Sequence, residues 1–76
     1  MNKARRKEID SVITIIADAK EKLEAIRDEE QEYYDYMPEN FQYGEKGEAA
    51  EEAVSCLDYA IDQLDEAIEN AEQAKG

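Results

Sequence analysis

The sequence has no histidine and only one cysteine, Cys56, among its 76 residues. A single cysteine cannot form an internal disulfide, and without histidine neither a zinc cluster nor histidine-based acid–base chemistry is available. We therefore predict a non-enzymatic protein with no catalytic residues, no metal and no cofactor. A chain this short forms one domain with a small core, which makes it a candidate for stabilisation by partners.

Long apolar runs are also missing. The longest, from Val12 to Ala17, is interrupted by Thr14 and is far shorter than the ~20 residues of a membrane-spanning helix. The N-terminal segment MNKARRKEID has charges with no apolar signal region behind them. We expect a soluble cytoplasmic protein that makes no contact with a membrane.

Basic residues are scarce and unevenly placed. There are 21 acidic and nine basic residues, which gives a net charge of −12. Seven of the bases lie before residue 28, whereas residues 28–76 contain only two, Lys46 and Lys75, together with sixteen of the acids. Because phosphate contacts require clustered lysine and arginine, we expect no direct binding of nucleic acid. A basic protein is the partner that this charge favours.

Apolar residues at alternating spacings of three and four predict two long helices. The first seam consists of Ile9, Val12, Ile16, Ala19, Leu23, Ile26, Glu30, Tyr33 and Met37. The second consists of Ala50, Ala53, Leu57, Ala60, Leu64, Ala67, Ala71 and Ala74. Alanines at regular spacing let a neighbouring helix come close, so isoleucine and leucine side chains of the first helix are expected to pack over them.

Proline and glycine mark the connection between these helices. Pro38 excludes Met37 from helical conformation, so the first helix should end near Tyr36, and Gly44 can cap the second. We predict an all-α, antiparallel two-helix hairpin with helices at about 3–36 and 45–74 and a turn at about 37–44. This topology predicts ion pairs between the basic N-terminus and the acidic end of the second helix, with Arg5, Arg6 and Lys7 facing Glu66, Glu69 and Glu72.

A lone hairpin with one apolar seam per helix is only marginally stable. Ile13 and Ile15 flank the first seam on opposite sides, so the apolar stripe is widest there and implies more than one partner surface. We predict a homodimer, either a four-helix bundle or a coiled-coil dimer, with self-association through Val12, Ile13, Ile15 and Ile16. Cys56, beside the second seam, is interpreted as a small buried thiol rather than a nucleophile.

Four aromatic residues, Tyr34, Tyr36, Phe41 and Tyr43, are expected to crowd the turned end of the hairpin. Their rings can cover the last layer of the core and leave the hydroxyls in water. Alternatively, they form contacts with a partner, because exposed tyrosines are good interface anchors. The residues alone leave both interpretations open.

Acidic residues without a basic residue among them occupy the predicted solvent face of the second helix. They are Glu51, Glu52, Asp58, Asp62, Asp65, Glu66, Glu69 and Glu72. Residues four apart on a helix are about 6 Å apart along its axis, close to the spacing of phosphates along a DNA strand. Such a row can occupy the DNA-binding groove of another protein. The alternative is that the acids only solvate the helix.

The segment DEEQEYYDYMPENFQYGEKGEAAEEAV, residues 28–54, resembles a pattern found in small acidic helical proteins encoded by phages and prophages. The matching positions are Glu29, Glu30, Gln31, Glu32, Tyr33, Tyr34, Asp35, Met37, Pro38, Glu39, Gln42, Glu45, Lys46, Gly47 and Glu48. Tyr36 and Gly44 depart from the pattern, where asparagine and serine would be usual. The resemblance implies a phage protein acting in a bacterial host cell.

Two functions follow as predictions. The first is a helical interaction protein that acts by protein–protein contact through its seam and its tyrosine-rich turn. The second is a DNA-mimicking inhibitor whose acidic face blocks a basic host protein, such as a nuclease, a repressor or a CRISPR effector. Salt separates them, because binding through charge weakens steeply with ionic strength and apolar contact does not.

Overall fold

The computed structural model describes residues 1–76, and α-helix is its only regular secondary structure. Its elements are α1 (Lys3–Asp35), α2 (Glu39–Gln42) and α3 (Glu45–Lys75). The two long helices pack against each other along a particle of 58 × 15 × 12 Å. The predicted helical hairpin is confirmed, and both long helices end within one residue of the expected positions. The short helix α2, inside the predicted turn, was not expected.

The start of α1 is stabilised from two directions. Asn2 is the N-cap, and its side-chain oxygen accepts a hydrogen bond from the backbone N–H of Arg5 at 2.8 Å. The first turn contains no acidic residue, so its bases face the positive end of their own helix dipole. Arg6 instead donates from Nε to the Lys75 carbonyl at 3.1 Å. The negative end of α3 thereby compensates the bases of α1.

The turn is built around Pro38. The backbone N–H of Met37 donates to the Tyr34 carbonyl at 3.1 Å, which closes α1. Pro38 then directs the chain into α2, and its carbonyl accepts from Phe41 at 2.8 Å and from Gln42 at 3.1 Å. Since proline has no N–H to donate and a fixed φ, it is suited to starting a helix.

Gly47 is the contact point between α2 and α3. A methyl group at this position would lie 1.9 Å from the Gln42 carbonyl oxygen, so only glycine lets the two backbones approach this closely. Gly47 is buried and is the third residue of α3. The N-cap of α3 is Gly44, as predicted, and it makes no side-chain capping bond.

The contact between the long helices lies to one side of the predicted seam. On α1 the partly buried residues facing α3 are Ile9, Ile13, Ile16, Lys20, Leu23, Arg27, Glu30, Tyr34 and Met37. The seam prediction is wrong for Val12, Ala19, Ile26 and Tyr33, which stay exposed. The apolar stripe of α1 is wider than one neighbour can cover, and α3 covers the edge where lysine and arginine side chains reach its acids.

The hairpin has almost no closed core. Only three of the 76 residues are buried, and Ala50 and Ile61 are the only apolar ones. Most side chains of the helix contact are therefore only partly removed from water. None of the helices combines the length and the apolar character needed to cross a membrane.

Candidate interaction surfaces

One side of the hairpin carries a ladder of polar pairs between α1 and α3. The Lys20 ammonium lies 2.6 Å from Asp65, and the Arg27 guanidinium lies 2.7 Å from Asp58. One heptad further along, the Tyr34 hydroxyl lies beside the carboxylate of Glu51. The α1 members of successive pairs are seven residues apart in ascending order, and their α3 partners are seven residues apart in descending order. The ladder thus records the antiparallel register of the two helices.

The ladder raises the pKa values of its three α1 members. A hydrogen bond with Asp65 raises the pKa of Lys20, and a hydrogen bond with Asp58 raises the pKa of Arg27. The interaction of the Tyr34 hydroxyl with the Glu51 carboxylate raises the pKa of Tyr34, and partial burial raises it further. The protonated forms of all three groups are therefore favoured in the folded hairpin.

At the open end of the hairpin the polarity of the pairs is reversed. Lys75 of α3 bridges Asp10 of α1 and Glu72 of its own helix, and the hydrogen bond with Asp10 raises the pKa of Lys75. The ion pairs predicted here are wrong in detail. The basic N-terminus does lie beside the end of α3, but no salt bridge joins the expected groups, which are Arg5, Arg6 and Lys7 with Glu66, Glu69 and Glu72.

The ladder divides the predicted acidic face into two rows. Glu51, Asp58, Asp65 and Glu72 recur once per heptad and pair with groups of α1 or with Lys75. Glu52, Asp62, Glu66 and Glu69 make no salt bridge and are exposed. We call these four the outer acidic row. The sequence could not separate the two rows, because the partners of the paired acids lie on the other helix.

The turned end combines one inward and several outward aromatic residues. Tyr34 is partly buried, and its carbonyl accepts a hydrogen bond from the Gln42 side chain at 3.1 Å. Tyr36 is 82% exposed, Tyr43 76% and Phe41 52%. The role of covering the core thus falls to Tyr34 alone. The other three residues form the exposed tyrosine tip.

An open groove runs along the tip. It is lined by Tyr33, Tyr36, Met37, Pro38, Phe41 and Lys46. Its walls are mainly apolar and aromatic, and the ammonium of Lys46 is the one charged group among them. Such a groove can accept an apolar or aromatic side chain of a partner.

The side of the hairpin opposite the ladder is apolar and uncovered. Of the residues predicted for self-association, Ile13 and Ile16 turn towards α3, whereas Val12 is 51% and Ile15 66% exposed. The open face, as we call this side, is formed by ten residues. Exposed among them are Val12, Ile15, Ala19, Ile26 and Tyr33 of α1 and Cys56 and Ala74 of α3, and partly buried are Ala53, Ala60 and Ala67 of α3. At the open end, Val12 and Ala74 line one groove, which places the two rows on the same side.

Cys56 is exposed, so its interpretation as a buried thiol is wrong. The residue lies on α3 beside Ala53 and Ala60, at the margin of the open face. On α3 the contact follows the predicted seam from Ala50 to Ala71, and the more deeply buried Ile61 lies on the flank opposite Cys56. The thiol therefore lies outside the contact with α1.

No group of three or more potential metal ligands is gathered in the structure. Comparisons with protein-family models, with curated proteins and with solved structures found no match to this chain. The resemblance of residues 28–54 to phage-encoded proteins therefore stays a prediction.

Proposed function

We propose that this chain is a small, non-enzymatic helical protein that acts by protein–protein contact through its apolar seam and its tyrosine tip. The observation that carries the proposal is the exposure of the tip. Tyr36, Phe41 and Tyr43 project from a turn that backbone hydrogen bonds to Tyr34 and Pro38 hold together, although burial of their rings would stabilise the fold. Large aromatic side chains fixed on a rigid element lose little entropy on binding and are typical binding anchors.

The lack of a closed core supports the same conclusion. With Ala50 and Ile61 as the only buried apolar residues, much of the apolar surface remains available to partners. A contiguous apolar surface on a small protein usually marks a contact site. The resemblance of residues 28–54 to phage-encoded proteins supports a contact made in the cytoplasm of a bacterial host.

A matched pair of variants tests the tip. In affinity capture from a bacterial host lysate, the double variant Tyr36→Ala/Tyr43→Ala should lose a partner that the unchanged chain retains at both low and high salt. The control is Tyr59→Ala, because Tyr59 is 67% exposed but lies on α3 away from the tip. If the tip variant and the control retain the same partners, the tip is not the contact.

The outer acidic row supports a second candidate, a DNA-mimicking inhibitor of a basic host protein. Glu52, Asp62, Glu66 and Glu69 have no basic neighbour within salt-bridge distance. Only Asp62 interacts through charge with a nearby base, Lys20. A rigid row of carboxylates attracts a basic surface at long range, and salt screens this attraction.

Competition with DNA tests this candidate. A captured nucleic-acid-binding protein should release DNA when the chain is added, and Glu66→Gln/Glu69→Gln should weaken the effect several-fold. The control neutralises two exposed acids on the other helix, Glu21→Gln/Glu32→Gln. Equal weakening by both variants would indicate that net charge alone is responsible, which contradicts a specific mimic.

A further inference from the structure

The open face is the one side of the hairpin without a concentration of negative charge. Every acidic residue of α3 lies on the ladder or on the outward side. The α3 positions on and next to the open face, from residue 49 to residue 74, are all uncharged: Ala49, Ala53, Cys56, Ala60, Gln63, Ala67, Asn70 and Ala74. For a chain with a net charge of −12, two copies repel each other if they meet by any other side.

The open face is also complementary to itself in shape. The α1 half presents large side chains, among them Val12, Ile26 and Tyr33, and the α3 half presents a row of alanines. Large residues pack best opposite small ones, because a neighbouring helix can then approach closely. If α1 of each copy lies over α3 of the other, the large side chains of both α1 helices pack against alanines.

Charge favours the same arrangement. The bases Lys20, Lys22 and Arg27 lie on α1, whereas α3 has only Lys46 and Lys75. With α1 over the partner's α3, each acidic helix has two less acidic helices as neighbours. The alternative, α1 over α1 and α3 over α3, places two acidic helices side by side at a cost in repulsion.

The area is sufficient for a stable dimer. A face 58 Å long and 15 Å wide covers roughly 870 Å², close to the ~800 Å² that each partner contributes to a protein–protein interface of standard size. A second copy matches the full length of this face by definition. It would also bury Val12, Ile15 and Ile26, which are half or more exposed in the single hairpin.

Resting on the proposed interaction role, we infer that a second copy of this chain covers the open face. The product is a two-fold symmetric four-helix bundle in which α1 of each copy lies over α3 of the other. In this arrangement all neighbouring helices are antiparallel, and both tyrosine tips lie at the same end. The interface includes Ala19, Ile26 and the alanines of α3, whereas Ile13 and Ile16 remain inside each hairpin.

Sedimentation velocity and circular dichroism test the interface. The unchanged chain should sediment as a dimer at micromolar concentration, and Ile26→Glu should lower its association constant at least a hundredfold. Ile15→Glu gives a second test if the first variant does not fold. The control Thr14→Glu adds the same charge to α1 on an exposed side away from the open face and should remain dimeric. A folded monomer in the unchanged chain, or a dimer indifferent to both open-face variants, overturns the inference.

A distance measurement between the two copies tests whether both tyrosine tips lie at the same end of the bundle. In a Cys56→Ser background, Asn40→Cys places one spin label on the exposed tip of each copy. Pulsed electron resonance should give a distance well below half the 58 Å length of the hairpin, whereas tips at opposite ends would be separated by about that length and would overturn the arrangement. Tip-dependent capture of a host partner is scored separately, so a monomer that still binds through its tip would refute the dimer and leave the proposed function standing.

Discussion

Replacement of Gly47 by alanine tests how strongly the turn depends on one glycine. The new methyl carbon would lie 1.9 Å from the Gln42 carbonyl oxygen, 2.4 Å from its carbon and 2.6 Å from its Cα. These are backbone atoms and cannot rotate away. To reach the 3.4 Å of ordinary contact, α2 must retreat by about 1.5 Å.

The expected cost follows from two opposing effects. Forcing an extra methyl group into a packed contact typically costs about 1–3 kcal/mol, and the upper end applies to Gly47 because the backbone itself must move. Alanine recovers about 1 kcal/mol through its better helix propensity. We therefore expect Gly47→Ala to lower the free energy of unfolding by about 2 kcal/mol.

Urea denaturation followed by circular dichroism measures this change. All variants must be compared at one protein concentration, because self-association adds to apparent stability. Helix propensity alone predicts the opposite sign, namely a more stable protein. An unchanged or increased midpoint for Gly47→Ala would therefore refute the close contact between α2 and α3.

Three further predictions concern the cap, the ladder and pH. Gly44→Ser should stabilise the hairpin by about 0.5–1 kcal/mol in the same denaturation assay, since the backbone at Gly44 is extended and serine adds a capping oxygen while restricting the unfolded chain. In a double-mutant cycle, Arg27→Asp and Asp58→Arg should each destabilise the protein and partly rescue each other when combined, with a coupling that shrinks in high salt; additive effects would contradict the pair. The raised pKa values of Lys20 and Tyr34 mean that the folded state holds these protons more tightly, so their stabilisation is present below the ordinary values of 10.5 and 10.0 and is lost as pH rises through the folded values. Denaturation midpoints should fall between pH 9 and about pH 11, and Tyr34→Phe should show a smaller fall.

The hairpin could be predicted from sequence because its signals are local. Proline at position 38 and glycine at position 44 punctuate two periodic segments, and each helix end depends on residues within a few positions of it. The rotation of α1 about its own axis could not be predicted in the same way. The apolar stripe from Ile13 to Ile15 admits several orientations, and α3 selects one of them through Lys20 and Arg27.

The same distinction applies to the candidate surfaces. Aromatic residues at a predicted turn are visible in the sequence, which placed Tyr36, Phe41 and Tyr43 at the turned end but left open whether they cover the core or stay exposed. The pairing of Asp58 and Asp65 depends on the helix register, which single-helix periodicity does not contain. The prediction that Cys56 is buried failed for the same reason. Whether its side of α3 is covered depends on where α1 lies.

The open face and the tyrosine tip make linked predictions in the proposed bundle. If the two tips lie at one end, a partner contacts Tyr36 and Tyr43 of both copies at once, so the second contact forms at high effective concentration. Ile26 is ten residues before Tyr36, about 15 Å along the helix axis. In this bundle Ile26→Glu should nevertheless weaken tip-dependent capture as well as dimerisation. Thr14→Glu should affect neither. Capture that is unchanged in a monomeric Ile26→Glu variant would mean that each tip binds independently.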